Sequence, residues 1–273
     1  RLRPRIRPLM LRRTKEAVAA DLPPKQEQVV RVTLDPAHRE LYERTLNRER
    51  LKVLDLIDDL SKNRMIVFRS LTLLRMLALS PALVSAGASG SASSDSDVTS
   101  GSTPIPSAKL DLLLDELEQL AAEGRRALVF SQFTSFLRMV SDALDARGIG
   151  YEYLDGSTRK RPEVIERFRQ GTAPAFLISL KAGGFGLTLT EADTVFVLDP
   201  WWNPAAESQA VDRTHRIGQT RSVSVQRFIA EDTIEEKVLA LAARKAELFA
   251  TMIDDDALFA DDLTVDDIRS LLT

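Results

Sequence analysis

Residues 127–186 read ALVFSQFTSFLRMVSDALDARGIGYEYLDGSTRKRPEVIERFRQGTAPAFLISLKAGGFG. Three short apolar runs, Ala127–Phe130, Tyr151–Leu154 and Ala175–Leu180, are separated by two stretches with apolar residues at helical spacing, one ending at Arg147 and one at Arg169. Short strands alternating with amphipathic helices predict an α/β fold, a parallel sheet sandwiched by helices. Gly148 and Gly171 stand where helix C-caps belong.

The pattern continues on both sides. Downstream come Val195–Leu198, a helix through Arg216, Val223–Ile229, and a long helix through Met252. Upstream, Leu110, Leu113, Leu114, Leu117 and Leu120 share one helix face. Residues 36–80 read as helical from Leu41, Leu51, Leu54, Ile57 and Leu60 and the denser run Met65–Leu79, with Pro81 closing the region. Residues 85–107 hold nine serines and three glycines, the composition of a flexible insertion. Four segments follow: a lead-in and helical protrusion over 1–84, the Ser/Gly-rich insertion over 85–107, the α/β lobe over 108–253, and an acidic tail over 254–273.

The chain has 273 residues, 44% hydrophobic and 28% charged, ordinary for a globular protein. It has no cysteine, and its two histidines, His38 and His215, are far apart, which excludes disulfides, iron–sulfur clusters and cysteine nucleophiles. No apolar run approaches the roughly 20 residues of a membrane span, so no membrane partner is expected. The net charge of −3 is a cancellation. Residues 1–15 carry seven basic side chains and no acid, whereas residues 254–273 carry seven aspartates and one arginine, the pattern of a solvated tail. The opening on Arg1 reads as a cut inside a larger protein, and the alanine- and arginine-rich composition points to a bacterial, nucleoid-associated setting in the cytoplasm rather than a nucleus.

In open α/β sheets, ligands bind beyond the carboxyl ends of the strands. There the sequence places Ser131-Gln132, Asp155-Gly156-Ser157-Thr158, Lys181-Ala182-Gly183-Gly184-Phe185-Gly186, and Asp199-Pro200-Trp201-Trp202-Asn203-Pro204. Hydroxyls, glycines and cations on one edge suit a polyanion, because backbone N–H groups at glycine turns and helix starts bind phosphates. Arg159-Lys160-Arg161 is either an exposed helix start, with Pro162 early in the helix, or a DNA contact. Trp201 and Trp202 could stack on a ligand or anchor their loop by packing. His215, with no partner carboxylate or thiol beside it, reads as structural.

Gln209, Arg213 and Arg216 fall at i, i+4 and i+7, on one helix face. Two guanidiniums on one rigid face can clamp a γ-phosphate, and such an arginine is worth about 10³ to 10⁵ in rate, roughly 4 to 7 kcal/mol of barrier. The alternative is a solvated face with the arginines paired to Asp212 or other acids.

Taken in order, Val129-Phe130-Ser131-Gln132-Phe133, Leu154–Thr158, Lys181–Thr190, Ala192–Val195, Trp202-Asn203-Pro204 and Gln209…Asp212-Arg213…His215-Arg216-Ile217-Gly218-Gln219 resemble the second RecA-like lobe of the SWI/SNF-related ATPases of helicase superfamily two. Leu9–Lys15 and Leu22–Lys25 resemble the segment that precedes this lobe. The resemblance covers roughly residues 8–45 and 109–245. It implies a lobe of an engine that hydrolyses ATP with Mg²⁺ to translocate along duplex DNA. Arg213 and Arg216 would be arginine fingers, supported by Gln209. Gly184 and Gly186 would lie toward nucleotide and Gly183 toward DNA. Ser131, Gln132, Ser157, Thr158, Arg159 and Lys181 would meet DNA phosphates, which position a protein without reading sequence. Lys181 stands where the family more often has arginine, and Phe185 where leucine is usual.

A phosphate loop would read Gly-x-x-x-x-Gly-Lys-Ser/Thr, and the chain has no Gly-Lys pair. Asp115-Glu116 lies within the leucine-faced helix and reads as surface charge. The main ATP and Mg²⁺ ligands are therefore expected from an N-terminal RecA-like lobe, without which hydrolysis would be negligible. The rivals are a non-catalytic nucleic-acid-binding or protein-docking module on the same fold, and a strand-separating helicase. The protein substrate of such an engine is not legible in these residues.

Overall fold

The structure, a computed structural model, describes residues 23–88, 105–180, 182, 189–201, 219–251 and 264–272. Six parallel strands form one sheet: β1 (Lys25–Val32), β2 (Ala127–Ser131), β3 (Tyr151–Leu154), β4 (Ala175–Ser179), β5 (Thr194–Val197) and β6 (Val223–Ala230), in the order β1-β6-β5-β2-β4-β3. Five of these match the expected runs to within a residue or so at each end. β1 was not anticipated, because Lys-Gln-Glu-Gln gives no apolar alternation. As an edge strand beside β6 it needs little, and charge protects it: Arg227 reaches across to Glu27 at 2.8 Å.

Strand residues alternate between two cores. Val129, Leu177, Phe196 and Phe228 face a cluster with α4 (Ala108–Ala122) and α5 (Thr134–Arg147). Leu128, Phe130, Phe176, Ile178, Val195 and Val197 face a second cluster with Val164 and Phe168 of α6 (Arg161–Gln170). Both faces are covered, as near-continuous apolar strands require. The two expected caps hold for different reasons. Gly148 adopts φ 68, the left-handed geometry glycine tolerates. At Gly171 a Cβ would come within 2.5 Å of the Arg167 carbonyl oxygen. Asp115 pairs with Arg147 on the surface at 3.0 Å, as a surface charge would.

The helical region is α1 (Pro36–Leu56), a 3-10 turn (Ile57–Asp59), α2 (Leu60–Leu79) and α3 (Ala82–Ala88). Asp35 caps α1 by accepting the Ala37 N–H at 3.0 Å, with Pro36 at the first turn. α3 runs four residues past the expected start of the insertion. At its other end Ser107 is fixed: it caps α4 and donates to Leu79 O at 2.7 Å. Residues 89–104 lie outside the described ones.

The acidic end departs from expectation. A solvated tail was expected over 254–273, yet residues 265–272 form a helix, α8 (Val265–Leu272). Ile268, Leu271 and Leu272 share one face and pack against Val53, Ile57, Leu71 and Leu74 of the helical region and Ile234, Val238 and Leu241 of α7 (Ile234–Thr251). Aspartates dominate the composition there, but three apolar residues at helical spacing decide the outcome. No helix among the described residues is long and apolar enough to cross a membrane.

Candidate nucleic-acid and nucleotide interface

The carboxyl ends of the central strands are knitted together by buried polar groups. Asp199, two residues beyond β5, is 1% exposed. Its carboxylate accepts the Ser131 hydroxyl at the end of β2. It also accepts the Gln132 backbone N–H at 3.2 Å and the Gln132 side-chain amide at 2.8 Å. The other end of that amide accepts Arg75 Nη1 at 3.0 Å. Arg75, buried on α2, also donates from Nη2 to the Pro200 carbonyl at 2.5 Å and lies 5.6 Å above the Phe133 ring. Burial works against its cation, and Asp199 and Glu235 oppose that effect.

One layer deeper, Lys109 Nζ donates to Leu198 O at 2.8 Å, to Phe228 O at 2.9 Å and to Glu235 Oε2. The same carboxylate accepts the Ala230 N–H at 2.8 Å. Burial lowers the Lys109 ammonium and raises the Glu235 carboxyl, and their mutual attraction opposes both shifts. Four donor–acceptor contacts favour the ionised pair.

At the end of β3, Asp155 organises its own turn. Its Oδ1 accepts the Ser157 N–H at 2.8 Å, the Ser157 hydroxyl at 2.6 Å and the Thr158 hydroxyl at 3.4 Å. Burial alone would raise this carboxyl, but those bonds together hold it below the ordinary range. Ser157, Arg159 and Lys160 are exposed, and Lys160 pairs with Glu163.

Of the residues singled out in sequence, Ser131 and Gln132 thus lie at the end of β2 and Ser157, Thr158 and Arg159 beyond β3, on the same edge of the sheet. Ser131 is fully buried with its hydroxyl engaged by Asp199, and both ends of the Gln132 amide are engaged, so these two side chains shape the edge from behind. Lys181, Gly183, Gly184, Gly186, Gln209, Arg213, Arg216, His215 and Trp202 lie outside the described residues. Gln219, the last residue of the arginine-bearing motif, is buried at the opposite edge. It donates to Ala192 O at 2.9 Å and accepts the Thr220 and Arg221 N–H groups at 3.0 Å. Nearby, Asp193 gathers Arg125 and Arg221. Pro200 thus stands at the carboxyl edge and Gln219 at the amino edge.

Two contributors were missed in sequence, Arg75 and Lys109. Each is a lone cation among apolar helical neighbours, a pattern that signals a buried partner. Asp199 stood in the strand-end series without a role.

The family of SNF2-related domains matches residues 1–83, and the family "Helicase conserved C-terminal domain" matches residues 108–218, more than two thirds of the chain between them. The chain belongs to the SNF2-related family. Among its relatives are an uncharacterized ATP-dependent helicase of Mycoplasma pneumoniae, 36% identical over 98% of this chain, and Protein CHROMATIN REMODELING 24 of Arabidopsis thaliana, 35% identical over 92%. DNA repair protein RAD5A of Arabidopsis thaliana is 40% identical over 62% of the chain. The chain spans only 16–25% of the length of these three relatives. The Sulfolobus solfataricus SWI2/SNF2 ATPase core, solved in complex with dsDNA, superposes with a TM-score of 0.66 at 28% identity, over 99% of this chain and 55% of that one. The C-terminal part of the Fun30 ATPase domain superposes with a TM-score of 0.68 at 24% identity, over 92% of this chain and 97% of that one, a likeness of fold. The RecA-like sheet and the order of the motifs are thus those of an SNF2-related lobe.

Proposed function

We propose that the chain is the second motor lobe of an ATP-dependent translocase that moves along double-stranded DNA. The observation that carries this is the carboxyl edge of the sheet, where Ser131-Gln132, Asp155–Thr158 and Asp199-Pro200, far apart in sequence, all lie on one edge, with Asp199 bonded to Ser131 and Gln132. The dsDNA held by the Sulfolobus relative supports a DNA partner. Ser157, Thr158, Arg159, Lys181 and Gly183 contact backbone phosphates, and Ser131 and Gln132 fix the strand end behind them. Arg213 and Arg216 reach the γ-phosphate of ATP, Gln209 steadies them, and the Gly184–Gly186 turn relays closure between nucleotide and DNA.

Among the described residues no three His, Asp or Glu side chains converge as a metal site. The Asp199 and Asp155 oxygens are turned onto Ser131, Gln132, Ser157 and Thr158. These groups do not fit a magnesium site, so Mg²⁺ and most of the ATP contacts are assigned to the first lobe. The alanine- and arginine-rich composition supports a bacterial, nucleoid-associated setting for this work.

The test is ATPase activity of the two-lobe protein with and without duplex DNA, alongside an unwinding assay. Hydrolysis stimulated by duplex DNA without strand separation is expected. No hydrolysis at all would leave a binding or docking module, and unwinding would make it a helicase.

A further inference from the structure

Arg75 carries the helical region to the motor edge. Arg75 leaves α2, enters the space between the ends of β2 and β5, and bonds two different loops at once: the Gln132 amide at 3.0 Å and the Pro200 carbonyl at 2.5 Å. Both arms of one guanidinium are used, a geometry that lysine cannot copy. Gln132 is in turn locked to Asp199, the residue before Pro200. Arg75 therefore closes a ring, Arg75–Gln132–Asp199–Pro200, that joins the SNF2-related segment, the β2 loop and the start of the 200–218 segment. Pro200 is where that segment begins its path to Gln209, Arg213 and Arg216.

We propose that Arg75 is a positioning residue: it fixes the first residue of the arginine-bearing segment relative to the DNA-facing β2 loop, so that movement of the helical region is passed to the arginine clamp. This rests on the motor function proposed above. If Arg75 served only to fill α2, its bonds would end on α2 or on the sheet beneath it; instead both arms end on loops of the working edge.

Trp201 and Trp202 are the only two tryptophans of the chain and directly follow Pro200, so intrinsic fluorescence reports this loop independently of hydrolysis. Arg75→Ala, Arg75→Lys and, as a control for destabilised α2 packing, Leu71→Ala are compared in the 273-residue chain at a temperature where far-UV circular dichroism is unchanged. Arg75→Ala is expected to red-shift the emission and raise acrylamide quenching about twofold, Arg75→Lys to give part of that change, and Leu71→Ala none. Unchanged emission in Arg75→Ala and Arg75→Lys, or an equal shift in Leu71→Ala, overturns the assignment. In the two-lobe protein, Arg75→Lys is expected to lower the DNA-stimulated kcat at least tenfold with the KM for ATP changed less than threefold. An unaltered kcat overturns the coupling. If the unsubstituted two-lobe protein shows no DNA-stimulated hydrolysis, the motor function fails and the coupling with it, while the tryptophan measurement still decides whether Arg75 holds the loop.

Discussion

Lys109 and Glu235, 126 residues apart, meet as an ion pair at the carboxyl ends of β5 and β6 with side-chain exposures of 0% and 1%. The ammonium ties two strand-end carbonyls to the first turn of α7, so it fixes the floor on which Asp199 and Pro200 rest.

Removing one member leaves the other charged and buried. Lys109→Met or Glu235→Leu is expected to cost about 3–5 kcal/mol in denaturant unfolding. The pair Lys109→Met with Glu235→Leu is expected to cost less than the sum of the singles. It stays below the original stability, because the Leu198 and Phe228 carbonyls and the Ala230 N–H lose partners worth about 1–3 kcal/mol each. Additive losses would show that the two side chains act separately.

A second prediction concerns pH. His38, buried at the base of α1, holds Leu77 O at 2.6 Å, which requires the hydrogen on Nε2, and its buried Nδ1 has no partner among the described residues. Burial lowers this imidazole from its ordinary 6.5, with the Leu77 bond opposing. The unfolded chain therefore takes up a proton near pH 6.5 before the folded one does. Stability is expected to be full above that pH, to fall as pH drops toward the lower folded value, and to level off below it. His38→Gln keeps a donor near the Nε2 position and should flatten that part of the profile, measured by urea unfolding between pH 5 and about 8. An identical slope in both proteins would assign the dependence to other groups.

The third prediction separates packing from charge at the C-terminal end. Leu271 is 1% exposed against α7 and the helical region. Leu271→Ala is expected to cost about 2–5 kcal/mol, whereas Asp266→Asn, on the exposed side of α8, should change stability by less than about 0.5 kcal/mol. A silent Leu271→Ala would mean that the segment is the solvated tail its composition suggests.

That contrast marks what was legible in sequence. Five of the six strands were, because each is a short apolar run between helical periodicities, and the carboxyl edge followed from them. β1 was not, since an edge strand needs hydrogen-bond partners rather than apolar alternation, and Lys25–Gln28 has none. α8 was not, since seven aspartates mask Ile268, Leu271 and Leu272 when charge alone is counted. At the candidate site the residue types at the strand ends were legible. Their division was not: Ser157 and Arg159 are exposed while Ser131 is buried, because nothing local in Ser131-Gln132 announces Asp199, 68 residues away. Arg75 and Lys109 were visible only as cations out of place on apolar helices.

The last prediction bears on the chemistry. Arg213 and Arg216 share a helical face with Gln209 by spacing, and the segment carrying them runs from Pro200, held by Arg75, to Gln219, pinned under Ala192 O. Anchoring at both flanks lowers the freedom lost when two guanidiniums close on a phosphate, as the proposed clamp requires. A guanidinium that meets charge developing on a transferring phosphoryl group acts on the transition state more than on bound ATP. Arg213→Ala or Arg216→Ala in the two-lobe protein is therefore expected to lower kcat by about 10³ or more while the Kd for ATP, read with a fluorescent analogue, changes little. If the proposed clamp supplies only one side of the nucleotide site, the 273-residue chain alone is expected to hydrolyse ATP at the background rate with or without DNA. Near-normal turnover in both variants removes the clamp, and robust hydrolysis by the chain alone removes the division of labour between the lobes.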